Sequence, residues 1–125
     1  MDNSPLKLSQ ISVVMLGVTD VARSKAFYCD RLGLTAKAAF EGFVFLDTGS
    51  VTLVLSQSLS RAQAHVAGAT EVVFAVGDVR TAHRALAARG IVFTHEPRQL
   101  TATDWGANFN DPDGHILSIF GPEGK

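Results

Sequence analysis

Two stretches decide the fold: ISVVMLGVTDVARSKAFYCDRLGL, residues 11–34, and TEVVFAVGDVRTAHRALAARGIV, residues 70–92. Each opens on a β-branched apolar run, Ile11–Val18 and Val72–Val76, and reaches an aspartate, Asp20 or Asp78. A helical pattern follows, expected over Val21–Leu32 and Val79–Arg89, and each ends at a glycine, Gly33 or Gly90. Asp is a favoured N-cap because its carboxylate accepts the orphan N–H groups of the first turn. Gly tolerates the left-handed conformation just past a helix end. The repeat extends outward. Phe45-Leu46-Asp47-Thr48-Gly49-Ser50 matches Phe109-Asn110-Asp111-Pro112-Asp113-Gly114, each reading as a strand, a polar turn and a second strand, Val51–Leu55 or Ile116–Phe120. With further strands at Thr35–Phe40 and Val92–Glu96, each copy reads β-α-β-β-β. The second copy is about six residues longer in the middle, around Glu96–Trp105. A unit of that size is too small to bury a good core alone, so the two copies are expected to pack together.

The chain has 125 residues, one ordinary domain. Its composition, 46% apolar and 18% charged, excludes a disordered chain. A net charge of −1 leaves no basic excess for a nucleic-acid backbone. No apolar run reaches the roughly 20 residues that span a bilayer, and residues 1–5 do not resemble a signal peptide. With a single cysteine, Cys29, a cytoplasmic setting is expected.

The arrangement resembles the vicinal oxygen chelate superfamily, the glyoxalase/bleomycin-resistance/dioxygenase fold. The resemblance rests on Val18-Thr19-Asp20, Ser24–Tyr28 and Leu32-Gly33-Leu34 in the first copy. In the second it rests on Val76-Gly77-Asp78, Ala88–Ile91 and Trp105-Gly106 leading to Phe109–Gly114. It implies an α+β domain of two β-α-β-β-β modules, about 9–56 and 70–122, joined by a linker at 57–69. Their mixed sheets would curl into a half-barrel cup that holds a ligand. It also implies a homodimer, often with modules of two chains completing each pocket.

Enzymes of that family chelate a divalent metal with one side chain near the start of each module's first strand and one on each last strand. Carried over by spacing from the capping and turn aspartates, those positions are Val13, Val54, Glu71 and Ser118. Two have no donor atom and a neutral hydroxyl is a poor ligand, so no metal and no cofactor are expected.

Strand alternation extends the cup. The expected lining is Val13, Met15, Phe43, Phe45, Val54, Val73 and Phe109, with polar points at Thr52, Glu71 and Ser118 and Trp105 at the rim. Ala107, Ile116 and Phe120 share the inward face in this register, and Asn108 falls on the helix side, where a buried amide is costly unless the register slips. An apolar, aromatic cup suits a small hydrophobic or aromatic ligand. The expected function is binding, with sequestration of an antibiotic or toxin as the model. The alternative is a lyase, isomerase or dioxygenase-type enzyme with Glu71 as catalytic base, its pKa raised by an apolar cup, or with an atypical metal site. Glu71 could instead pair with Arg61 or Arg98. Of the histidines, His83 reads as a surface residue, His115 as facing away from the cup and His95 as near the rim, while His65 lies in the linker. Cys29 reads as a structural thiol.

Overall fold

A computed structural model of the chain describes Leu6, residues 11–62 and residues 70–125. His65 and most of the linker lie outside the described residues. Strands β1 (Val13–Gly17), β2 (Thr35–Phe40), β3 (Phe43–Asp47) and β4 (Thr52–Ser56) form one mixed sheet in the order β1-β4-β3-β2. Strands β5 (Glu71–Ala75), β6 (Arg98–Gln99), β7 (Trp105–Asn110) and β8 (Ile116–Gly121) form the second, in the equivalent order β5-β8-β7-β6. In each sheet the first strand pairs parallel with the last, and the other pairs are antiparallel. The two β-α-β-β-β modules are therefore present, each with its own sheet, and among the described residues the two sheets do not close into a barrel.

Helix α1 (Val21–Ala26) starts where Asp20 accepts from the amides of Ala22 and Arg23, and α3 (Val79–Ala88) where Asp78 accepts from Thr81. A short α2 (Gln57–Ala62) follows β4, and its Ser60 backbone lies over Gly17 at the end of β1. The helix ends differ in an informative way. In module two the Ile91 amide donates to the Leu86 carbonyl and the Gly90 amide to that of Ala87, a Schellman ending with Gly90 at φ 91°. In module one each equivalent bond spans one more residue: Leu34 donates to Tyr28 and Gly33, at φ 82°, to Cys29. The surplus residue is absorbed by a π-helical turn over Phe27–Arg31, with the Leu32 amide bonded to the Phe27 carbonyl. The continuous α-helix expected over Val21–Leu32 is thus α up to Ala26 and π beyond it.

One core joins the modules. Leu16, Val18, Val44, Leu46, Leu53 and Leu55 from sheet one meet Ile91, Ala107, Phe109, Leu117 and Ile119 from module two, with Phe27, Tyr28 and Val79 from the helices. The modules are latched by the β7–β8 loop. The buried Tyr28 hydroxyl donates to Asp111 Oδ2 at 2.9 Å. Asp113 Oδ1 accepts from the Thr19 amide at 3.0 Å and its hydroxyl at 2.8 Å, and His115 Nε2 lies 2.7 Å from the Gly17 carbonyl oxygen. Burial first, and then the Asp111 carboxylate, push the Tyr28 phenol far above its usual pKa, so it remains a neutral donor.

Three registers differ from the sequence expectation. Phe45 pairs with Val54 and Phe43 with Ser56, two residues along from the tight turn expected, because the loop between β3 and β4 is wider. Asp47 and Thr48 side chains stabilise that loop by bonds to the Gly49 amide and the Val51 carbonyl. A two-residue slide leaves every side chain on its expected face. In module two the loop is closed by Asp111, whose Oδ1 accepts from the Asp113 and His115 amides, and the pairing is Asn110 with Ile116 and Phe109 with Leu117. That odd shift turns β7 over. Finally, Val92–Glu96 supplies only a bridge from Phe93 to Phe109, and pairing resumes at β6, past Pro97, which has no amide to give to the ladder.

Candidate functional site

Each sheet has a helix side, packed into the core, and an open side. In sheet one Val13, Met15, Thr52, Val54, Phe43 and Phe45 share the open side, as their cross-strand pairing requires. Val13 and Met15 are 40% and 48% exposed, whereas Val54 is fully buried. A bulge between Ala36 and Ala38 brings Lys37 onto this side, where its Nζ donates to Thr52 Oγ1 at 2.6 Å.

In sheet two Glu71, Val73, Ser118 and Asn108 share the open side, since Val73 pairs with Ser118 and Ser118 with Asn108. Glu71 begins β5 at an exposed position, and its Oε2 accepts from the Ser118 hydroxyl and, at 3.3 Å, from Asn108 Nδ2. Asn108 Oδ1 lies 2.7 Å from His95 Nε2, and His95 Nδ1 lies 2.7 Å from the Glu96 carbonyl oxygen. The result is a linear chain, His95–Asn108–Glu71–Ser118, along an otherwise apolar surface. It solves the problem posed by an amide on the helix side: Asn108 points the other way and both ends of its carboxamide are bonded.

Two expected lining residues are corrected by the flipped strand. Phe109 is 1% exposed and belongs to the core, stacked edge-on to Phe93 at 5.3 Å, and Ala107 lies beside it. Trp105 shares their side of β7. It packs half-buried against the core beneath Arg80, whose Cζ is 5.0 Å from the ring centroid, and so it is not a rim residue of the open side. Ile116 and Phe120 do alternate onto the open side. Glu71 makes no ion pair with Arg98 among the described residues, and the Arg61 side chain lies outside them. His83 is not a free surface residue: it is half-buried, with its ring centroid 4.3 Å from that of Phe93 and Nε2 3.8 Å from Glu96 Oε2. His115 is buried in the module joint, and Cys29 is half-buried.

Three contributors were missed in the sequence. Lys37 reaches the open side through a bulge, which has no local signal in a Thr-Ala-Lys-Ala-Ala-Phe run. Loop parity alone puts Asn108 on the wrong side. Nothing in the sequence joins His95 to Glu71, because the link runs through Asn108.

The residues at the four family metal positions do not fit an ion. Val13 and Val54 offer hydrocarbon, and Ser118 spends its hydroxyl on Glu71. Among the described residues no three His, Cys, Asp or Glu side chains gather as a metal site. No described helix is long and apolar enough to cross a membrane.

Comparisons with known proteins agree with this architecture. A glyoxalase/bleomycin resistance protein/dioxygenase from Nocardioides is 24% identical with a TM-score of 0.78, covering 95% of this chain and 87% of that one. TnmS3, an antibiotic binding protein from Streptomyces, is 21% identical with a TM-score of 0.78, covering 95% of this chain and all of its own, 100%. A lactoylglutathione lyase from Agrobacterium tumefaciens is 21% identical with a TM-score of 0.76, covering 90% of this chain and 93% of that one. At such identities the likeness concerns the fold. No curated protein matches the chain. The family model for the Glyoxalase/Bleomycin resistance protein/Dioxygenase superfamily matches residues 10–119, and the chain belongs to that superfamily.

Proposed function

We propose that this chain is a metal-independent binding protein for a small apolar or aromatic molecule, of the kind that sequesters an antibiotic or toxin. The observation that carries the reading is the donor set. Where relatives with metal chemistry place ligands, this chain has two valines and a serine whose hydroxyl is bonded to the one carboxylate. Thioether and aliphatic surface remains on the open sides: Met15 on sheet one stands 48% exposed, and Val73, on the same face of β5 as Glu71, 52%. Such surface gives adaptable contact to a flat ring, and Glu71 adds a point for a hydroxyl or amine. The antibiotic binding neighbour supports the reading by fold alone.

Val13, Met15, Phe40, Val73 and Leu100 are large apolar residues left exposed, Val13, Met15 and Phe40 on the open side of sheet one and Val73 on that of sheet two. A homodimer in which a second copy completes each open side accounts for this exposure. One half-buried free thiol sits well with a reducing, cytoplasmic setting.

A second reading has one observation in its favour. The His95–Asn108–Glu71 chain is an arrangement that orients a carboxylate, so proton transfer by Glu71 in a lyase or isomerase is the competing function.

The test is a ligand screen by thermal shift on purified protein, with metal analysis on the same sample. Stabilisation by aromatic natural products that survives chelator treatment is expected. Stoichiometric Zn²⁺, Ni²⁺, Fe²⁺ or Mn²⁺ whose removal abolishes binding would overturn the reading. Substrate turnover abolished by Glu71→Gln would favour the second.

A further inference from the structure

The helix side of sheet two carries a cleft of its own, across the sheet from Glu71. It has a volume of about 240 Å³ and lies where the modules meet. Leu34 lines it from module one, Phe74 from β5, Val76 just past that strand, and Ala82, Ala85 and Leu86 from α3, with the buried Phe109 at its floor. Every lining residue is hydrocarbon except Arg89.

Arg89 is the informative member. It caps the end of α3, and among the described residues its guanidinium makes a single bond, a 3.4 Å contact from Nη1 to the Arg31 carbonyl oxygen. Among the described residues no carboxylate lies within ion-pair distance of Arg89 or of Arg31, whose guanidinium sits beside Gly90. A single cation among the lining residues of an apolar cleft is the complement of a small amphiphilic anion. The size sets the class. A dry apolar cavity of about 150 Å³ takes up benzene, so this one has room for a ring with a short side chain or an alkyl tail of similar bulk.

We propose that this cleft is a second ligand site, distinct from the open side, that binds a small monocarboxylate through an aromatic or alkyl tail, with the carboxylate on Arg89. The tail displaces water from Leu34, Phe74 and Leu86, and the planar guanidinium takes the carboxylate in a charge-assisted pair. The proposal goes beyond the open-side function and does not depend on it.

The probe is 3-phenylpropanoate, with 3-phenylpropanol as its uncharged match, titrated into the full chain and followed by methyl NMR and calorimetry. The acid is expected to shift the methyl resonances of Ala82, Ala85 and Leu86, and to bind about tenfold more tightly than the alcohol. Arg89→Gln should abolish that preference while the alcohol still binds. Ala85→Phe, which fills the cleft, should abolish both. If that variant fails to fold, the methyl shifts and the Arg89→Gln comparison still decide the matter. Glu71→Gln should change neither affinity. Equal binding of acid and alcohol, absence of shifts at tens of millimolar, or shifts centred on Met15 and Val73 would each overturn the proposal, the last by moving the ligand to the open side.

Discussion

Replacing Tyr28 by Phe removes one oxygen from the joint between the modules. Tyr28 is fully buried, and among the described residues its hydroxyl is the one partner of Asp111 Oδ2, in a residue just 5% exposed. The other oxygen, Oδ1, is already committed to the amides of Asp113 and His115 at 2.9 and 2.8 Å. The substitution leaves the ring and its edge-on contact with Phe27 in place and takes away a hydrogen bond to a charged acceptor. Such bonds are worth about 1.5–3 kcal/mol net, and a buried acceptor stranded without a partner sits toward the upper part of that range. A loss of about 2 kcal/mol is expected, equivalent to a fall in Tm of roughly 8 °C for a domain of this size. Urea unfolding of both proteins gives the difference directly, with an unchanged slope as the sign that only stability moved. Asp111→Ala alone and combined with Tyr28→Phe completes a cycle whose coupling energy isolates the pair. A single-variant loss under about 0.5 kcal/mol, the level of an ordinary surface change, would refute the reasoning and imply that Asp111 finds another donor at no cost.

Phe109→Ala should destabilise by about 3–5 kcal/mol, as a core truncation does, whereas Val73→Ala on the open side should cost well under 1 kcal/mol; chemical denaturation separates the two, and a reversed order would restore the register in which Phe109 faces the open side. Asp78 is held below the usual carboxylate range, first by its bond from the Thr81 amide, so its ionised cap supports folding above that range and the contribution fades as pH falls through the lowered value. Asp78→Asn should therefore flatten the acid limb of the stability–pH curve, read from melts between pH 2 and about 6. Met15→Glu places a charge at an exposed apolar position of sheet one and, for the homodimer proposed above, should leave monomer in sedimentation velocity where the unaltered chain gives dimer; a variant that still dimerises, or an unaltered chain that sediments as monomer, would mean that this side is not the interface.

The architecture was legible because it is local and written twice. Asp20 and Asp78 do cap helices, Gly33 and Gly90 do end them, and the order of strands follows from the repeat. What escaped depends on loop geometry. The β7–β8 loop is set by Asp111 gripping two amides with one oxygen, and no composition rule gives its length; one residue of error there exchanged Phe109 for Asn108 on the open side. The same length uncertainty between β3 and β4 was harmless because it came to two residues. Val13, Glu71 and Ser118, carried over by spacing from the capping and turn aspartates, lie on the open sides of their strands. Trp105 does not stand at the expected rim and Lys37 carries no signal of its place, because a turned strand and a bulge reassign individual side chains without altering the pattern that defines the strand.

The wide turn at Phe27–Arg31 makes this helix intolerant of length changes in a way its solvent-facing residues conceal. Deleting one residue there would heal the spiral to ordinary pitch and give it the ending that its twin already has. It would also rotate everything downstream by about 100°, so that either the aromatic pair or the strand that follows must abandon its berth. The extra residue in one half of an otherwise repeated design is thus a spacer that keeps two rings seated and a phenol within reach of the opposite module.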